Sequence, residues 1–302
     1  MRRRHTPHIV SVGIAVALLA AGCGGDDTGS SPQTPSSPTA QVTEDPDLAK
    51  MVPSGIAEDG VVTVGIDATY APNEFLAADG KTVQGFDVDL FNAVAATLGL
   101  KTKYSPAPFD NIIPSVQSGK YEIGVSSFTI NPERLEVVDM VSYYAAGTAW
   151  ATQKGNPSGI SPDDACGKRV AVQRGTVQIE DVTGRSEECT NAGKPAIAID
   201  QYQGQDQATS AVVSGKDDAM LADSPIIAYA VKQTGGKMEQ LGDIYDSAPY
   251  GYVIKQEQGE FALAVSNAVN TLIEDGTYVE VLDTWGVGQG AVARSEVNPS
   301  SP

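Results

Sequence analysis

Val61 to Ile66 is a short run rich in β-branched residues, ended by Asp67 and the turn-forming Ala71-Pro72-Asn73. Downstream the period changes. Leu90, Phe91, Val94, Ala95 and Leu98 recur at helical spacing, with Asp87 placed to cap the first turn and Gly99 as the stop. Ile112, Ile113 and Val116 mark another short helix ending near Gly119, and Tyr121 to Ser126 reads as a strand. Asn131 and Pro132 make an N-cap and first-position pair, which puts Arg134 in the first turn of a helix. The pattern then restarts with a strand at Arg169 to Gln173, a tight turn at Gly175-Thr176 and a helix from Val177. Ala196 to Ile199, Ala211 to Val213, Asp218 to Ala222 and Ile226 to Val231 continue the alternation, and Phe261 to Ile273 and Tyr278 to Leu282 are two closing helices. Repeated βα units predict an α/β fold of mainly parallel sheets with helices on both faces. Ligands in such sheets bind beyond the carboxyl ends of the strands, where Asp67, Ser126, Gln173 and Asp223 fall.

The ends of the chain differ in kind. Arg2, Arg3 and Arg4 precede an apolar run from Ile9 to Ala21, too short to span a bilayer as a mature helix, so residues 1–22 read as an export signal. Leu19-Ala20-Ala21-Gly22-Cys23 looks like a bacterial lipobox, with Cys23 the lipidated residue. The acyl chains of a lipoprotein supply the more than one anchor that stable attachment requires. Residues 23–47 are rich in Gly, Ser, Pro, Thr and Asp, the composition of a flexible tether, and 289–302 reads as an equally unstructured tail. The roughly 230 residues between suffice for one large domain or two small ones.

Charge and rare residues narrow the chemistry. Losing residues 1–22 removes three arginines and no acid, taking the net charge from −18 to −21. Such acidity argues against nucleic acid, whose phosphates need Lys and Arg. His5 and His8 both lie in the signal, so the remaining chain has no Ser-His or Cys-His nucleophile and lacks the commonest zinc ligand. No metal or other cofactor is expected. After Cys23 two cysteines remain, and in an exported chain the pair Cys166 and Cys189 reads as a disulfide.

The segment Gly85-Phe86-Asp87-Val88-Asp89-Leu90, followed by Val94-Ala95 and Leu98, resembles the signature of family 3 extracellular solute-binding proteins. The similarity continues through Asp67 to Pro72, Phe109 to Gly119, Ser126 to Arg134, Gly167 to Thr176, Leu221 to Pro225 and Asp275 to Tyr278, about Val61 to Gly286 in all. The resemblance implies a periplasmic-binding-protein-like type II fold. Two α/β lobes, 48–149 with 249–288 and 150–248, would be joined by two crossing strands near Gly147 to Gln153 and Gly251 to Ile254, with the ligand in the cleft.

The resemblance also assigns roles. Arg134 would take a ligand α-carboxylate with a bidentate fork, helped by backbone N–H groups near Ser127 and at Val177. Asp223 and the Thr129 hydroxyl would take the α-ammonium, Tyr70 and Phe109 would cover the side chain, and Asp67 would face its polar end. Gln173 stands at a position that varies between specificities, and Ser126 belongs to the same wall. Val177 stands where many relatives have Thr, and Asn73 where an aromatic is common. Bland readings compete: Asp223 as a helix cap, Tyr70 and Phe109 as core aromatics, Asp87 and Asp89 as helix-start acids, and Trp150 and Trp285 as packing.

The implied function is a monomeric extracytoplasmic receptor, held to the membrane by its lipid. It would bind a free polar amino acid, cationic ahead of amide, and deliver it to an ABC permease and its ATPase. The rivals are a cyclohexadienyl-dehydratase-like lyase, which without histidine has only Asp67, Glu74 or Asp223 as acid or base, and a ligand-sensing lipoprotein.

Overall fold

The computed structural model describes residues 42–300. Its large sheet has eight strands, in chain order β1 Val61–Ile66, β2 Lys101–Pro106, β3 Ile123–Thr129, β4 Asp139–Gln153, β5 Arg169–Gln173, β6 Ala198–Tyr202, β7 Ala219–Asp223 and β8 Met238–Ile254. Their spatial order is β2-β1-β3-β8-β4-β7-β5-β6. Each flank is parallel, as βα units require: Val61 pairs with Lys101, Val64 with Ile123, Arg169 with Ala198 and Ala219 with Val170. The two long central strands, β4 and β8, are antiparallel and run through both halves. Their register breaks between Leu241 and Ala248. Gly147 lies there because a Cβ would sit 2.6 Å from the Tyr245 carbonyl oxygen.

Each half has its own apolar core. Val62 and Val64 pack under Phe86, Leu90 and Val94 of helix Phe86–Thr97, against Val265 and Leu272 of helix Gly259–Asp275. In the other half Trp150, Val170, Val172 and Leu221 pack under Val182 of helix Val177–Asn191. Trp150 and Trp285 do serve packing, with each indole N–H satisfied, by the Tyr245 hydroxyl at 2.8 Å and Asp89 Oδ2 at 2.8 Å.

Ala211 to Val213 falls in helix Gln205–Ser214, as the strand–helix alternation requires. Two expectations need correction. Asp87 does not cap its helix. Gly85 takes the N-cap position, since a Cβ there would meet the Asn73 carbonyl oxygen at 2.0 Å, and Asp87 lies one residue inside, fully buried and turned to Ser127. The segment 289–302 is not unstructured as far as residue 300. Ser142 N–H donates to the Glu296 carbonyl, Asn298 N–H donates to the Met140 carbonyl at 2.7 Å, and Val297 bridges to Val141. In the first half, this side of β4 has no neighbouring strand, and the tail supplies the backbone partners it lacks. Its polar composition hides that role, because the bonds are to backbone.

The last residues of the expected tether also dock. Asp45 Oδ1 accepts from the Asp47 and Leu48 N–H groups to cap helix Pro46–Ala49, and its own N–H donates to the Thr97 carbonyl at 2.8 Å. The export signal and Cys23 lie outside the described residues. Among the described residues no helix is long and apolar enough to cross a membrane.

Cys166 and Cys189 are bonded, with Cα atoms 5.5 Å apart, tying the segment before β5 to helix Val177–Asn191. In the chain-entropy model closing such a loop contributes about 3 kcal/mol. Mass spectrometry of the alkylated, non-reduced protein should find neither residue modified; two alkylated thiols would contradict the bond.

Candidate functional site

Strands β1, β3, β5 and β7 point their carboxyl ends at one place between the halves, delivering Asp67, Thr129, Gln173 and Asp223. Arg134 arrives from the short helix Pro132–Leu135, whose cap Asn131 accepts the Arg134 N–H at 2.9 Å. Its guanidinium donates to the Thr129 carbonyl at 2.7 Å and across the cleft to the Gly175 carbonyl at 3.2 Å. Its centre is 5.6 Å from the rings of Phe109 and Phe128, which stack with centroids 4.6 Å apart. Burial pulls the Arg134 pKa down to about 10, opposed first by the charge of Asp223, so the group remains a cation at neutral pH.

Asp223 is held by three side chains. Its Oδ2 accepts from the hydroxyls of Tyr250 at 2.7 Å and Tyr70 at 2.9 Å, and its Oδ1 accepts from Gln178 Nε2 at 2.8 Å. Burial raises its pKa, against those hydrogen bonds and the Arg134 charge. Among the described residues neither Arg134 nor Asp223 has a salt-bridge partner.

Asp67 is satisfied on every side. Oδ1 accepts from the Thr69 hydroxyl at 2.6 Å and the Thr69 N–H at 3.0 Å; Oδ2 accepts from the Phe109 N–H at 3.0 Å and Gln173 Nε2 at 2.9 Å. Burial lifts its pKa to about 6 despite those donors. Gln173 Nε2 also donates to the Gln203 carbonyl at 3.2 Å, so two oxygens converge on one amide nitrogen.

The two walls touch directly. Tyr70 and Tyr250 reach Asp223, Gln173 reaches Asp67, and the Gln205 N–H donates to Thr69 Oγ1 at 3.1 Å. The space left is about 10 Å³, at the lower limit for one water, so any ligand must enter by parting the walls.

Eight of the ten residues expected to bind ligand line this space: Tyr70, Phe109, Ser127, Thr129, Arg134, Gln173, Val177 and Asp223. Asp67 and Ser126 stand one layer behind it. Ser126 Oγ accepts from the Asp67 N–H at 3.0 Å and donates to Glu74 Oε1 at 2.9 Å. The N–H of Ser127 donates to Asp87 Oδ2 at 3.0 Å, away from the cleft, so it is not an available donor for a carboxylate. Asn73 occupies its place as a buried donor to Ser127 Oγ at 2.8 Å, a bond that a phenylalanine ring could not make. Asp223 stands at the N-cap of helix Ser224–Gln233 but makes no side-chain cap bond.

Tyr250, Gln178, Thr176 and Phe128 were missed. Gln178 follows Val177 at a helix start, and the alternation Tyr250-Gly251-Tyr252 was visible, but which face it presents depends on a crossing that only the fold reveals.

Three comparisons bear on this geometry. Residues 62–288 match the family described as bacterial extracellular solute-binding proteins, family 3. The chain is 37% identical over 254 residues to the arginine-binding protein ArgT of Corynebacterium glutamicum, covering 84% of this chain and 83% of that protein. Among solved structures it resembles an ancestral arginine-binding protein bound to arginine, with a TM-score of 0.69, 32% identity, and coverage of 75% of this chain and 98% of that one. It also resembles the ancestral amino-acid-binding protein AncCDT-1, described as a precursor of cyclohexadienyl dehydratase, with a TM-score of 0.66, 34% identity, and coverage of 77% and 98%.

Proposed function

From the premise that the chain belongs to family 3 of the bacterial extracellular solute-binding proteins, we propose that it is the amino-acid receptor of an ABC importer and takes L-arginine. Lysine and ornithine rank next, ahead of the amide amino acids. One observation carries this reading: a buried cation, Arg134, and a buried anion, Asp223, line one space without pairing to each other. That is the complement of an α-carboxylate and an α-ammonium, each charge finding in the ligand what the protein withholds. Asp67 and the Gln203 carbonyl add a pair of acceptors at one end, where the N–H groups of a guanidinium would displace the Gln173 amide. Phe109 and Tyr70 supply faces for the stem and the cation.

The remainder of the assignment follows from the same reading. Lobe 1 comprises 48–149 and 249–288, lobe 2 comprises 150–248, and β4 and β8 carry the hinge. Residues 1–22 direct export, Cys23 carries the lipid that holds a monomer to the outer face of the cytoplasmic membrane, and the closed form is what the permease receives. Lyase chemistry is the weaker reading. Glu74 lies behind the wall, and Arg134 with Asp223 supplies the frame of an amino acid rather than a lone acid or base. Product from prephenate or arogenate would favour it.

A thermal-shift screen of the twenty amino acids tests the reading. A ligand at about a hundred times its Kd stabilises by roughly 2.7 kcal/mol, so arginine should raise the unfolding midpoint most. No shift with any cationic or amide amino acid would sink it.

Asp67 makes the binding pH-dependent. Its folded pKa, about 6, lies above the ordinary 3.8, so without ligand its contribution to stability is present at low pH and lost as pH rises through about 6. A cationic ligand favours the ionised form and must expel the proton below that pH. Affinity for arginine should therefore fall about tenfold more than affinity for glutamine between pH 7.5 and 5, with the extra proton release that belongs to Asp67. Calorimetry in buffers of different ionisation enthalpy reads both. Asp67→Asn should abolish that excess and cost arginine more than glutamine; a pH profile identical for the two ligands in wild type would contradict the placement.

A further inference from the structure

Glu74 and Asp87 are buried acids, 1% and 0% exposed, that make none of the contacts assigned to the ligand. They lie directly behind the Ser126–Ser127 wall. Glu74 Oε1 accepts from Ser126 Oγ at 2.9 Å, and Oε2 faces Ser127 Oγ at 3.2 Å. Asp87 Oδ2 accepts from the Ser127 N–H at 3.0 Å and the Tyr143 hydroxyl at 2.7 Å, and also faces Ser127 Oγ at 3.2 Å. Ser127 has one hydroxyl proton for two acids, and its oxygen also accepts from Asn73 Nδ2. The other Asp87 oxygen, Oδ1, is buried and receives no N–H or hydroxyl from the described residues. Both carboxyls thus face the same hydroxyl oxygen, Ser127 Oγ, at 3.2 Å, and its proton can serve only one of them. Two carboxylates so placed repel each other; a carboxylic acid and a carboxylate can share a proton in a hydrogen bond.

We propose that Glu74 is a positioning residue that stays protonated at neutral pH, donates a hydrogen bond to Asp87, and thereby fixes Ser127, which lines the ligand site. Its effect on binding rests on the assignment of the cleft as the amino-acid site; its protonation does not. Ser127 has φ +49°, a conformation uncommon outside glycine, and persists in it only if its surroundings over-determine it. The bonds to Asp87, Glu74 and Asn73 do so. The titratable groups facing the pair are Asp67 at the end of β1, Tyr70, Tyr104 on β2, Tyr143 and Tyr144 on β4 and Tyr252 on β8, and among the described residues neither acid has a salt-bridge partner. A second negative charge would therefore go unneutralised. Burial, then the charge of Asp87, holds Glu74 well above the usual carboxyl range, and burial lifts Asp87 to about 6. Since both folded values are raised, the stability this pair contributes is present at low pH and is lost as pH rises through them.

The test begins on the wild-type protein without ligand. At pH 7.5 its infrared spectrum should contain the C=O band of a protonated carboxylic acid, and ¹³C labelling of glutamate carboxyls should shift that band, separating Glu74 from every aspartate. No such band, or one unmoved by glutamate labelling, overturns the proposal even if no variant folds. Affinity for L-arginine supplies the second reading. Glu74→Gln, which copies a neutral acid, should bind within about threefold of wild type, whereas Asp87→Asn, which removes the charge under the Ser127 N–H, should lose about tenfold or more. A larger loss from Glu74→Gln than from Asp87→Asn would place the proton on the wrong acid. If wild type fails to bind L-arginine, the proposed ligand is wrong, and the infrared result alone decides this proposal.

Discussion

Arg134→Ala should weaken L-arginine binding by tens to thousands-fold, the roughly 2–5 kcal/mol that follows from removing one member of a buried charge pair. The guanidinium is nine-tenths buried and has no carboxylate partner among the described residues, so the ligand's α-carboxylate would be the anion that it meets. Its removal leaves two backbone carbonyls, Thr129 and Gly175, without those N–H donors, which predicts some loss of stability as well. Arg134→Lys should restore little, because a point charge does not reproduce a planar fork stacked over Phe109 and Phe128. Titration calorimetry with circular dichroism as the folding control measures both effects. An affinity within threefold of wild type would remove Arg134 from the site.

The second large effect belongs to Asp223. Asp223→Asn keeps the shape of the side chain but removes the charge that would meet the α-ammonium. It should weaken every amino-acid ligand by about a hundredfold or more, in the range for truncating a buried hydrogen-bonded charge pair. Burial already raises the Asp223 pKa, so the ligand-free variant is spared the cost of a desolvated carboxylate and its unfolding midpoint should hold or rise. A large drop in affinity beside an unchanged or higher midpoint is a signature that a purely structural role would not give. Equal losses of both would return Asp223 to the bland reading of a residue that only holds Tyr70, Tyr250 and Gln178 together.

What was legible beforehand divides along physical lines. Apolar period and end signals are local, so Val61 to Ile66, the helix through Leu90 to Leu98 and the Asn131-Pro132 start of the Arg134 helix could be read directly. The convergence of Asp67, Gln173 and Asp223 followed from strand ends in a parallel sheet. Contacts made by backbone across long separations left no trace. The docking of residues 296–298 on β4 rests partly on carbonyls of Met140 and Glu296, which any sequence supplies, and partly on the Asn298 side chain, whose Oδ1 accepts from the Met140 N–H at 2.8 Å. The inward turn of the Ser127 N–H and the burial of Asp87 depend on Gly85 admitting the Asn73 carbonyl. Tyr250 required knowing on which side of the crossing strands it would emerge.

The most direct measurement is titration calorimetry of the chain from Cys23 onward at pH 7.5, with L-arginine, L-glutamine, L-glutamate and L-leucine in parallel. The account predicts saturable one-site binding of L-arginine, weaker binding of L-glutamine, and none of L-glutamate or L-leucine at matched concentration. Asp67 repels an anionic side chain and leaves an apolar one with no offset for desolvating the carboxylate. Tight binding of L-glutamate or L-leucine, with L-arginine inert, would contradict it.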